Sequence, residues 1–303
     1  MKPTAITVAI CTRNRGDALL LPLKAILEGT FSDVHVLVVD QSDGFETARA
    51  LLPFDGCERL TYLRTASRGL SAARNEALRA NRSPWLAFTD DDCEPAPDWL
   101  EQMMAAAREI TGPAILFGNF LPNLALSDMG MVPGWKSRTP GRRSDPWREY
   151  CLGGFGGNMA VNTEAIELAT GFNPDLGRGG THTACEEGEF ALRLCLLGGA
   201  VHELAGPVVL HHGLIEWGRV RDALRDDYGA TGFVLAWYLR RGRWSAFSQL
   251  LFCSHNETRQ IFRNLWHRRR PIGLRRPYWL WRGAVRGIRS NQEIPYLSRD
   301  LKQ

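Results

Sequence analysis

Short apolar runs alternate with longer amphipathic stretches through the first 110 residues of the chain. This alternation is typical of βαβ units and predicts a parallel sheet with helices packed against it. The predicted strands are Ala5–Cys11, His35–Asp40, Leu60–Leu63 and Trp85–Thr89. The predicted helices are Gly16–Leu27, Phe45–Leu52, Leu70–Ala80 and Asp98–Ile110.

Three of the predicted strands end in polar residues. These polar segments are Thr12–Arg15, Asp40–Asp43 and Asp90–Asp92. Ligands of open α/β sheets bind beyond the carboxyl ends of the strands. We therefore expect the three segments to meet in one crevice.

The order is less regular between residues 112 and 215, and beyond residue 218 the pattern predicts helices. The predicted elements of the irregular part are a strand at Ile115–Asn119, a loop at Pro133–Trp147, a Gly-rich segment at Cys151–Asn158, a helix that begins near Glu186, and a strand at Pro207–Leu210 that ends in His211 and His212. The predicted breaks in the helical part are Pro271, Pro277 and Pro295.

The composition is that of a globular protein, since 44% of the 303 residues are hydrophobic and 23% are charged. The net charge of +4 conceals an asymmetry. Residues 216–303 hold 18 Lys and Arg against 7 Asp and Glu, together with six of the ten Trp, whereas residues 1–215 hold 19 against 26. We therefore predict one domain over residues 1–215 and a helical, Arg- and Trp-rich region over residues 216–303.

The seven cysteines contain no C-x-x-C pair, so the sequence indicates neither a disulfide framework nor a zinc knuckle. Thiols kept free favour a reducing compartment. The first residues lack the apolar core and cleavage site of a signal peptide, and the sequence contains no apolar run long enough for a spanning helix. The expected location is the cytoplasm, either free or peripheral at the inner face of the membrane.

The run Asp90-Asp91-Asp92 directly follows a predicted buried strand. Three adjacent carboxylates repel one another unless a cation is present. A hard divalent ion with oxygen ligands, itself chelated by a diphosphate, would supply that charge. The alternative is a solvated acidic loop, which the position at the end of a buried strand disfavours.

A second acidic segment, Glu186-Glu187-Gly188-Glu189, begins a predicted helix. Acidic residues in a first turn suit the helix dipole, which is a purely structural explanation. A carboxylate beside a reacting hydroxyl could instead act as a general base. The pattern alone leaves both interpretations open.

Arg74 and the histidine pair also have two interpretations each. A histidine that meets Asp92 across the crevice would complete a metal shell, because imidazole binds Mn²⁺ readily, although a lone histidine is more often structural. The planar guanidinium of Arg74 near a helix start suits a diphosphate, and a surface salt bridge is the alternative.

Taken together, these segments resemble family 2 of the glycosyltransferases from about Thr7 to His212. The resemblance implies an α/β fold of GT-A type, which is a Rossmann-like mixed sheet flanked by helices, here with a helical basic C-terminal extension. It assigns the catalytic domain to residues 1–215. The five motifs that carry it, in order, are Ile10–Arg15, Val38–Ser42, Gly69–Asn75, Thr89–Asp92 followed by Pro97–Leu100, and Glu186–Arg193 ahead of a strand with His211.

The resemblance also implies roles for the matching residues. Asp92 and His211, or its neighbour His212, would bind a divalent metal, Mn²⁺ or Mg²⁺. Glu187, next to Glu186, would be the catalytic base. The residues implied to border the nucleotide sugar are Thr12, Arg13, Asp40 (toward the base), Arg74 (near the diphosphate or ribose), Asp90 and Asp91 of the D-x-D motif, and Gly157 and Asn158 (lining the sugar pocket).

The sequence departs from the family pattern at the base. The family usually has Glu-Asp-x-Asp where this chain has Glu186-Glu187-Gly188-Glu189, so the side chain of Glu187 is one methylene longer. The implied reaction is a direct displacement at the anomeric carbon with inversion. A degenerate member that binds nucleotide sugar or membrane without turnover stays an alternative. A nucleotidyltransferase is disfavoured, because no Gly-rich, Lys-containing loop follows the first strand.

The basic C-terminal region places Arg and Trp at the edges of apolar helices, as interfacial membrane helices do. Packing on the acidic domain is the other explanation, and the two are compatible. No nucleic-acid-binding module is recognisable, so nucleic acid is not an expected partner. The expected partners are a nucleotide-sugar donor, with UDP as the default nucleotide, a glycan or lipid-linked acceptor, and an anionic membrane surface.

Overall fold

The computed structural model of the chain describes residues 4–266 and 273–290. The strands of its large mixed sheet are β1 (Ile6–Thr12), β2 (Val34–Asp40), β3 (Leu60–Arg64), β4 (Trp85–Asp90), β5 (Cys93–Pro95), β6 (Ala114–Pro122), β8 (Gly141–Arg143), β9 (Met159–Asn162) and β10 (Ala200–His211). Two further strands, β7 (Gly130–Met131) and β11 (Ile215–Glu216), pair with each other. The order across the large sheet is β3-β2-β1-β4-β9-β6-β10-β5, and β8 pairs with β10.

The strands β3, β2, β1 and β4 are parallel, as the sequence predicts. Every residue of β1 except Cys11 is buried, because helices cover both faces of this part of the sheet. The carboxyl ends of β1, β2 and β4 therefore lie side by side at one edge, with Thr12 opposite Asp40 and Cys11 opposite Asp90. The predicted boundaries of these four strands match the observed ones to within one residue at each end, whereas β6 extends three residues beyond the predicted strand Ile115–Asn119.

The second half of the sheet departs from simple βαβ repetition. Strand β9 is antiparallel to both of its neighbours, β4 and β6. Strand β10 begins at Ala200, seven residues before the predicted strand, and a register shift between Glu203 and Val208 interrupts its pairing with β6. The predicted loop at Pro133–Trp147 contains the short strand β8.

Helices flank the sheet and follow the predicted pattern. The predicted helix Leu70–Ala80 is observed with both boundaries unchanged, and the helix near Glu186 begins at that residue. The first helix begins later than predicted, since residues 16–19 form turns. The helices of the described residues are α1 (Leu20–Leu27), α2 (Glu46–Ala50), α3 (Leu70–Ala80), α4 (Trp99–Ala107), α5 (Thr163–Ala169), α6 (Glu186–Leu196), α7 (Trp217–Arg240), α8 (Ser245–Trp266) and α9 (Arg276–Arg289).

The C-terminal helices pack on the sheet domain as well as on one another. Buried Phe233 and Trp237 of α7 belong to the same hydrophobic cluster as Phe88 and Phe117 of the sheet. Helices α7 and α9 approach closely at Gly232, where a Cβ would collide with the backbone of α9. The helical prediction for this region is therefore confirmed for the described residues.

Of the predicted breaks, Pro277 lies in the first turn of α9, where proline's missing N–H costs no helical hydrogen bond. Pro271 and Pro295 lie outside the described residues.

Candidate active site

The polar segments that follow β1, β2 and β4 converge in one crevice, as predicted. The hydroxyl of Thr12 donates a hydrogen bond to Asp91 Oδ2 at 2.7 Å. The backbone N–H of Asn14, which has a positive φ of 57°, donates to Ser42 Oγ at 2.8 Å. These two bonds tie the loop after β1 to the loops after its neighbours on both sides.

Asp92 and His211 face each other across this crevice. His211 Nε2 lies 3.5 Å from Asp92 Oδ1, and His211 Nδ1 donates to the carbonyl of Pro133 at 2.9 Å. The second bond orients the ring and directs Nε2 toward Asp92. Although burial opposes both shifts, the contact lowers the pKa of Asp92 to about 2 and raises the pKa of His211.

The structure distinguishes the two neighbouring histidines. His212 Nε2 pairs with Glu94 at 3.0 Å, and its Nδ1 hydrogen-bonds the side chain of Asn123. These contacts engage both nitrogens of His212 away from Asp92. His211 is therefore the histidine beside the acidic run.

The donors at this point of the crevice fit a divalent cation. Ligand atoms of Asp90, Asp92 and Cys93 lie within 4.8 Å of one another. Burial raises the pKa of the Cys93 thiol well above its usual range, so carboxylate oxygens and the imidazole of His211 are the available donors. Gly213 leaves this space open, since a Cβ there would stand 2.7 Å from Asp92 Oδ2 and would collide with His211 Nε2. Oxygen and imidazole donors suit Mn²⁺ or Mg²⁺.

Arg15 is a site residue that the sequence analysis did not select. Its Nη1 lies 2.7 Å from Asp91 Oδ1, and its Nη2 lies 3.1 Å from Asp92 Oδ2. The side chain is half exposed, so solvent reaches part of it. Its position in the polar segment Thr12–Arg15 indicates that it lies near the crevice. The sequence does not indicate its acidic partners, because they lie far away along the chain.

Arg74 lies behind the crevice rather than on its surface. The side chain is only 2% exposed, and its guanidinium stands near the rings of Phe88 and Phe172. Its Nη1 donates to Glu186 Oε1 at 3.0 Å, and its Nη2 lies 3.7 Å from Asp90 Oδ1. Arg74 thus joins the acidic run at the end of β4 to the first turn of α6. Its contact with a diphosphate stays a prediction.

The position of α6 depends on the loop that precedes it. Two residues of this loop bind the start of α3: the backbone N–H of Leu70 donates to the carbonyl of Arg178, and the hydroxyl of Ser71 donates to the carbonyl of Leu176. Gly177, with φ of 84°, lets the loop pass Glu186 closely, since a Cβ would stand 3.0 Å from its carboxyl carbon. The loop therefore places the first turn of α6 against Arg74.

Glu186 and Glu187 differ in what surrounds their carboxylates. Glu186 is buried and bound by Arg74. For Glu187, burial and the neighbouring charge of Glu186 raise the pKa to about 8, while Arg74 acts in the opposite direction. A carboxylate with a raised pKa is a stronger base than an ordinary glutamate, which suits proton transfer near neutral pH.

The remaining acidic residue of this helix has a structural role. Glu189 is fully buried and accepts hydrogen bonds from Arg193 and from the hydroxyl of Tyr238 at 2.6 Å. The guanidinium of Arg193 in turn donates to the carbonyls of Ala169 and Gly171. This network anchors α6 to α7 and to the end of α5.

The Gly-rich turn before β9 supports the site through its lack of side chains. A Cβ at Gly157 would stand 2.8 Å from Asp90 Oδ2, and one at Gly156 would collide with the guanidinium of Arg74. Asn158 is buried, where it accepts from Trp99 Nε1 at 2.8 Å and donates to the carbonyls of Asn119 and Pro207. These bonds give Asn158 a structural role, and its predicted contact with a sugar stays a prediction.

The other two residues expected to border the nucleotide lie at the ends of neighbouring strands: Asp40 is the last residue of β2, and Arg13 directly follows β1. Asp40 is fully buried and accepts from Ser42 N, from Thr47 and, at 2.7 Å, from the hydroxyl of Tyr62. It therefore shapes the loop, and a contact with a nucleobase stays a prediction. Arg13 is half exposed and pairs with exposed Asp43 at 3.3 Å, on the rim of the crevice.

Residues 7–162, which are more than half of the chain, match the family described as "Glycosyl transferase family 2". The chain belongs to this family. The match ends before Glu186 and His211, so it covers the acidic run and Arg74 but neither α6 nor β10. The members of this family are glycosyltransferases, and residues 7–162 carry the family's domain.

Curated relatives of this glycosyltransferase share low identity with it. It is 20% identical over 251 residues to the glucosyl-dolichyl phosphate glucuronosyltransferase of Haloferax volcanii, and this alignment covers 80% of this chain and 76% of the relative. It is 28% identical over 102 residues to the chondroitin synthase of Escherichia coli, and this alignment covers 33% of this chain and 15% of the synthase. The chain spans less than half the length of several curated relatives that it matches.

Solved structures of similar fold confirm the GT-A architecture. The mannosyltransferase PcManGT from Pyrobaculum calidifontis, in complex with GDP-Man and Mn²⁺, aligns with a TM-score of 0.59 at 16% identity and covers 98% of this chain and 79% of that one. S. aureus TarS 1–349, in complex with UDP-GlcNAc, aligns with a TM-score of 0.59 at 15% identity and covers 76% and 65%. Within the described ranges of this glycosyltransferase, no helix combines the length and apolarity that a membrane span requires.

Proposed function

We propose that the enzyme transfers a sugar, with inversion, from a nucleotide-diphosphate sugar to an acceptor hydroxyl, in a reaction that depends on a divalent metal. The observation that carries the proposal is the buried guanidinium of Arg74, which contacts Asp90 on one side and Glu186 on the other. It holds the acidic run and the first turn of α6 against a common centre. A donor bound at the acidic run would therefore have Glu187 nearby as a base.

On this proposal, Asp92, Asp90 and His211 hold the metal in the space that Gly213 leaves open. When bound, a divalent cation neutralises the charge of the leaving nucleoside diphosphate. The half-exposed guanidinium of Arg15 adds a second positive charge at the same rim. The Mn²⁺ and GDP-Man held by PcManGT and the UDP-GlcNAc held by TarS support this donor class, with UDP as the default nucleotide.

Glu187 is proposed to accept the proton of the acceptor hydroxyl. A single displacement at the anomeric carbon then inverts its configuration, and no enzyme nucleophile is needed. The carboxylate of Glu186 is engaged by Arg74, which makes it a positioning group. Burial raises the pKa of Glu187 most, and the negative charge of Glu186 raises it further, so the carboxylate of Glu187 becomes more basic.

Substitution of Glu187 tests the proposed base. Release of nucleoside diphosphate from UDP- and GDP-sugars would be measured with a panel of glycan and lipid-linked acceptors. Glu187→Gln should reduce the rate of nucleoside diphosphate release by about 10²-fold or more and should leave metal-dependent nucleotide binding intact. Glu187→Asp, which restores the usual family residue, should retain activity.

Full activity of Glu187→Gln would show that another group is the base. Nucleotide binding without turnover in the wild-type protein, over the whole panel, would favour the alternative of a nucleotide-sugar-binding protein that lacks activity.

We further propose that the C-terminal helical region contacts an anionic membrane surface at the cytoplasmic face and that the acceptor is lipid-linked. Helix α9 buries one face and exposes an apolar stripe at helical spacing, formed by Tyr278, Trp281, Val285 and Ile288. Exposed Arg282, Arg286 and Arg289 flank the stripe. Apolar and cationic side chains on one exposed face are the features of helices that bind anionic lipid surfaces.

Sedimentation with vesicles tests this contact. Wild-type protein should bind vesicles of phosphatidylglycerol and phosphatidylcholine more strongly than vesicles of phosphatidylcholine alone. The Val285→Asp/Ile288→Asp variant should lose most of this binding, whereas Leu124→Asp, at a 73% exposed residue far from α9 in the sequence, should not. Equal partitioning of all three proteins would refute the membrane contact.

A further inference from the structure

A cavity of about 280 Å³ lies between the N-terminal turns of α7 and the start of α9. Its floor is apolar and nearly buried, and consists of Val220, Leu224 and Trp279. Its rim carries two exposed arginines, Arg221 and Arg275. The cavity therefore combines an apolar interior with two cations at its mouth.

The charges of these two arginines are not balanced within the described ranges, 4–266 and 273–290, where neither residue takes part in an ion pair. The next arginines along both helices are paired: Arg225 binds Asp222 and Asp226, and Arg276 binds Glu257 at 2.9 Å. Two guanidinium groups beside an apolar cavity match a phosphate that is attached to an apolar chain.

The chain connects the wall of the cavity to the proposed catalytic centre. On one side, Trp217 in its wall follows β11, and the chain between β10 and β11 includes Gly213, which lies against His211 and Asp92. On the other side, Asp227 follows Leu224 by about one helical turn. Although Asp227 is exposed, partial desolvation raises its pKa to about 6, Arg178 opposes this shift and the negative charge of Glu186 adds to it, so Asp227 lies within electrostatic reach of Glu186.

We propose that this cavity binds the acceptor's lipid phosphate, with the first part of an isoprenoid or acyl chain over Val220, Leu224 and Trp279 and the phosphate on Arg221 and Arg275. This inference rests on the proposed function and adds the acceptor's chemical class and its site. A cavity of this volume holds only the first part of a long chain. The remainder would continue along the exposed apolar stripe of α9.

Calorimetric titration of the full chain with farnesyl phosphate tests the site. Farnesol, which lacks the charge, and inorganic phosphate, which lacks the chain, are the matched ligands. Farnesyl phosphate should bind at least about tenfold more tightly than either one, because only it uses both parts of the cavity.

Variants separate the contribution of the phosphate from that of the apolar chain. Arg221→Gln/Arg275→Gln should weaken farnesyl phosphate binding by about tenfold or more, since both charged hydrogen bonds are removed. Leu274→Gln, at an exposed residue of the cavity wall, should weaken it through the chain. Arg219→Gln, an exposed arginine of α7 outside the cavity, is the matched control and should bind as the wild type does.

Unchanged binding in the double arginine variant would overturn the proposal, as would equally tight binding of inorganic phosphate or of farnesol. Titration of the same variants with UDP and GDP in the presence of Mn²⁺ separates this inference from the proposed function. Nucleotide binding without farnesyl phosphate binding would refute the acceptor site alone. Farnesyl phosphate binding without nucleotide binding would refute the donor chemistry alone.

Discussion

Replacing Arg74 should affect stability far more than replacing an ordinary surface arginine. Its guanidinium is 2% exposed and lies between two acidic groups, 3.0 Å from Glu186 and 3.7 Å from Asp90. Methionine is similar in length and apolar, so Arg74→Met removes the charge and leaves little empty space. The substitution leaves the buried carboxylate of Glu186 without its partner.

Breaking a buried ion pair from one side costs about 3–5 kcal/mol, because an uncompensated charge remains in a poorly solvated place. The pair with Glu186 fits this case, since both side chains are at most 8% exposed. The carboxylate of Asp90 is 34% exposed, and water can solvate it after the substitution, so we assign little of the loss to it. We therefore expect Arg74→Met to lower the free energy of unfolding by about 3–5 kcal/mol.

Urea unfolding followed by circular dichroism measures this change. Arg79→Met is the matched control on the same helix, because Arg79 is 62% exposed and pairs with Glu76 at the surface. It should cost about 0–1 kcal/mol. The double variant Arg74→Met/Glu186→Gln removes both charges and should recover much of the loss. A loss of stability in Arg74→Met no larger than that in Arg79→Met, or a double variant as unstable as Arg74→Met, would show that the unpaired carboxylate of Glu186 is not the source of the loss.

Two further predictions concern the site itself. Only an ionised carboxylate accepts a proton, so kcat/KM should rise as the pH increases through about 8, the pKa of Glu187. Glu186→Gln removes a neighbouring negative charge and should shift this rise in the pH–rate profile to lower pH. An unshifted rise would contradict the assignment of Glu187 as the base. Gly213→Ala should weaken Mn²⁺ binding, measured by calorimetry, because the added methyl group enters the space beside His211, whereas Gly218→Ala, whose Cβ meets nothing, should bind Mn²⁺ normally. Equal affinities in the two alanine variants would place the metal elsewhere.

The half of the sheet that the sequence predicts well is the half governed by local pattern. Strands β1, β2 and β4 are short apolar runs, and the helices between them carry one apolar face. The spacing of apolar residues in the sequence therefore predicts the same elements that the sheet buries. Strand β9 was not predicted, because its four residues follow a Gly-rich turn and depend on pairing with β4 and β6. Strand β10 begins early because β6 and β8 supply partners to Ala200–Glu203, which no local signal indicates.

The candidate site divides in the same way. The segments Thr12–Arg15 and Asp90–Asp92 were predictable, because strand ends of a parallel sheet meet at one edge. The contacts within the site were not, since they join residues far apart in the chain. Arg74 bonds Glu186, which lies 112 positions away, and Arg15 bonds Asp92, which lies 77 positions away. Residue type indicated charge there, but only the fold determines which charges are buried and paired.

Nucleotide binding that requires the metal and Asp92 is the property on which the proposed function depends. UDP, GDP and dTDP would each be titrated calorimetrically into the wild-type chain and into Asp92→Ala, with and without Mn²⁺. We expect one nucleotide to bind in the presence of Mn²⁺ and to lose that binding when the metal is omitted or Asp92 is replaced. Binding that is equally tight without metal and in Asp92→Ala, or no binding of any of the three nucleotides, would contradict a metal-dependent donor site at Asp92.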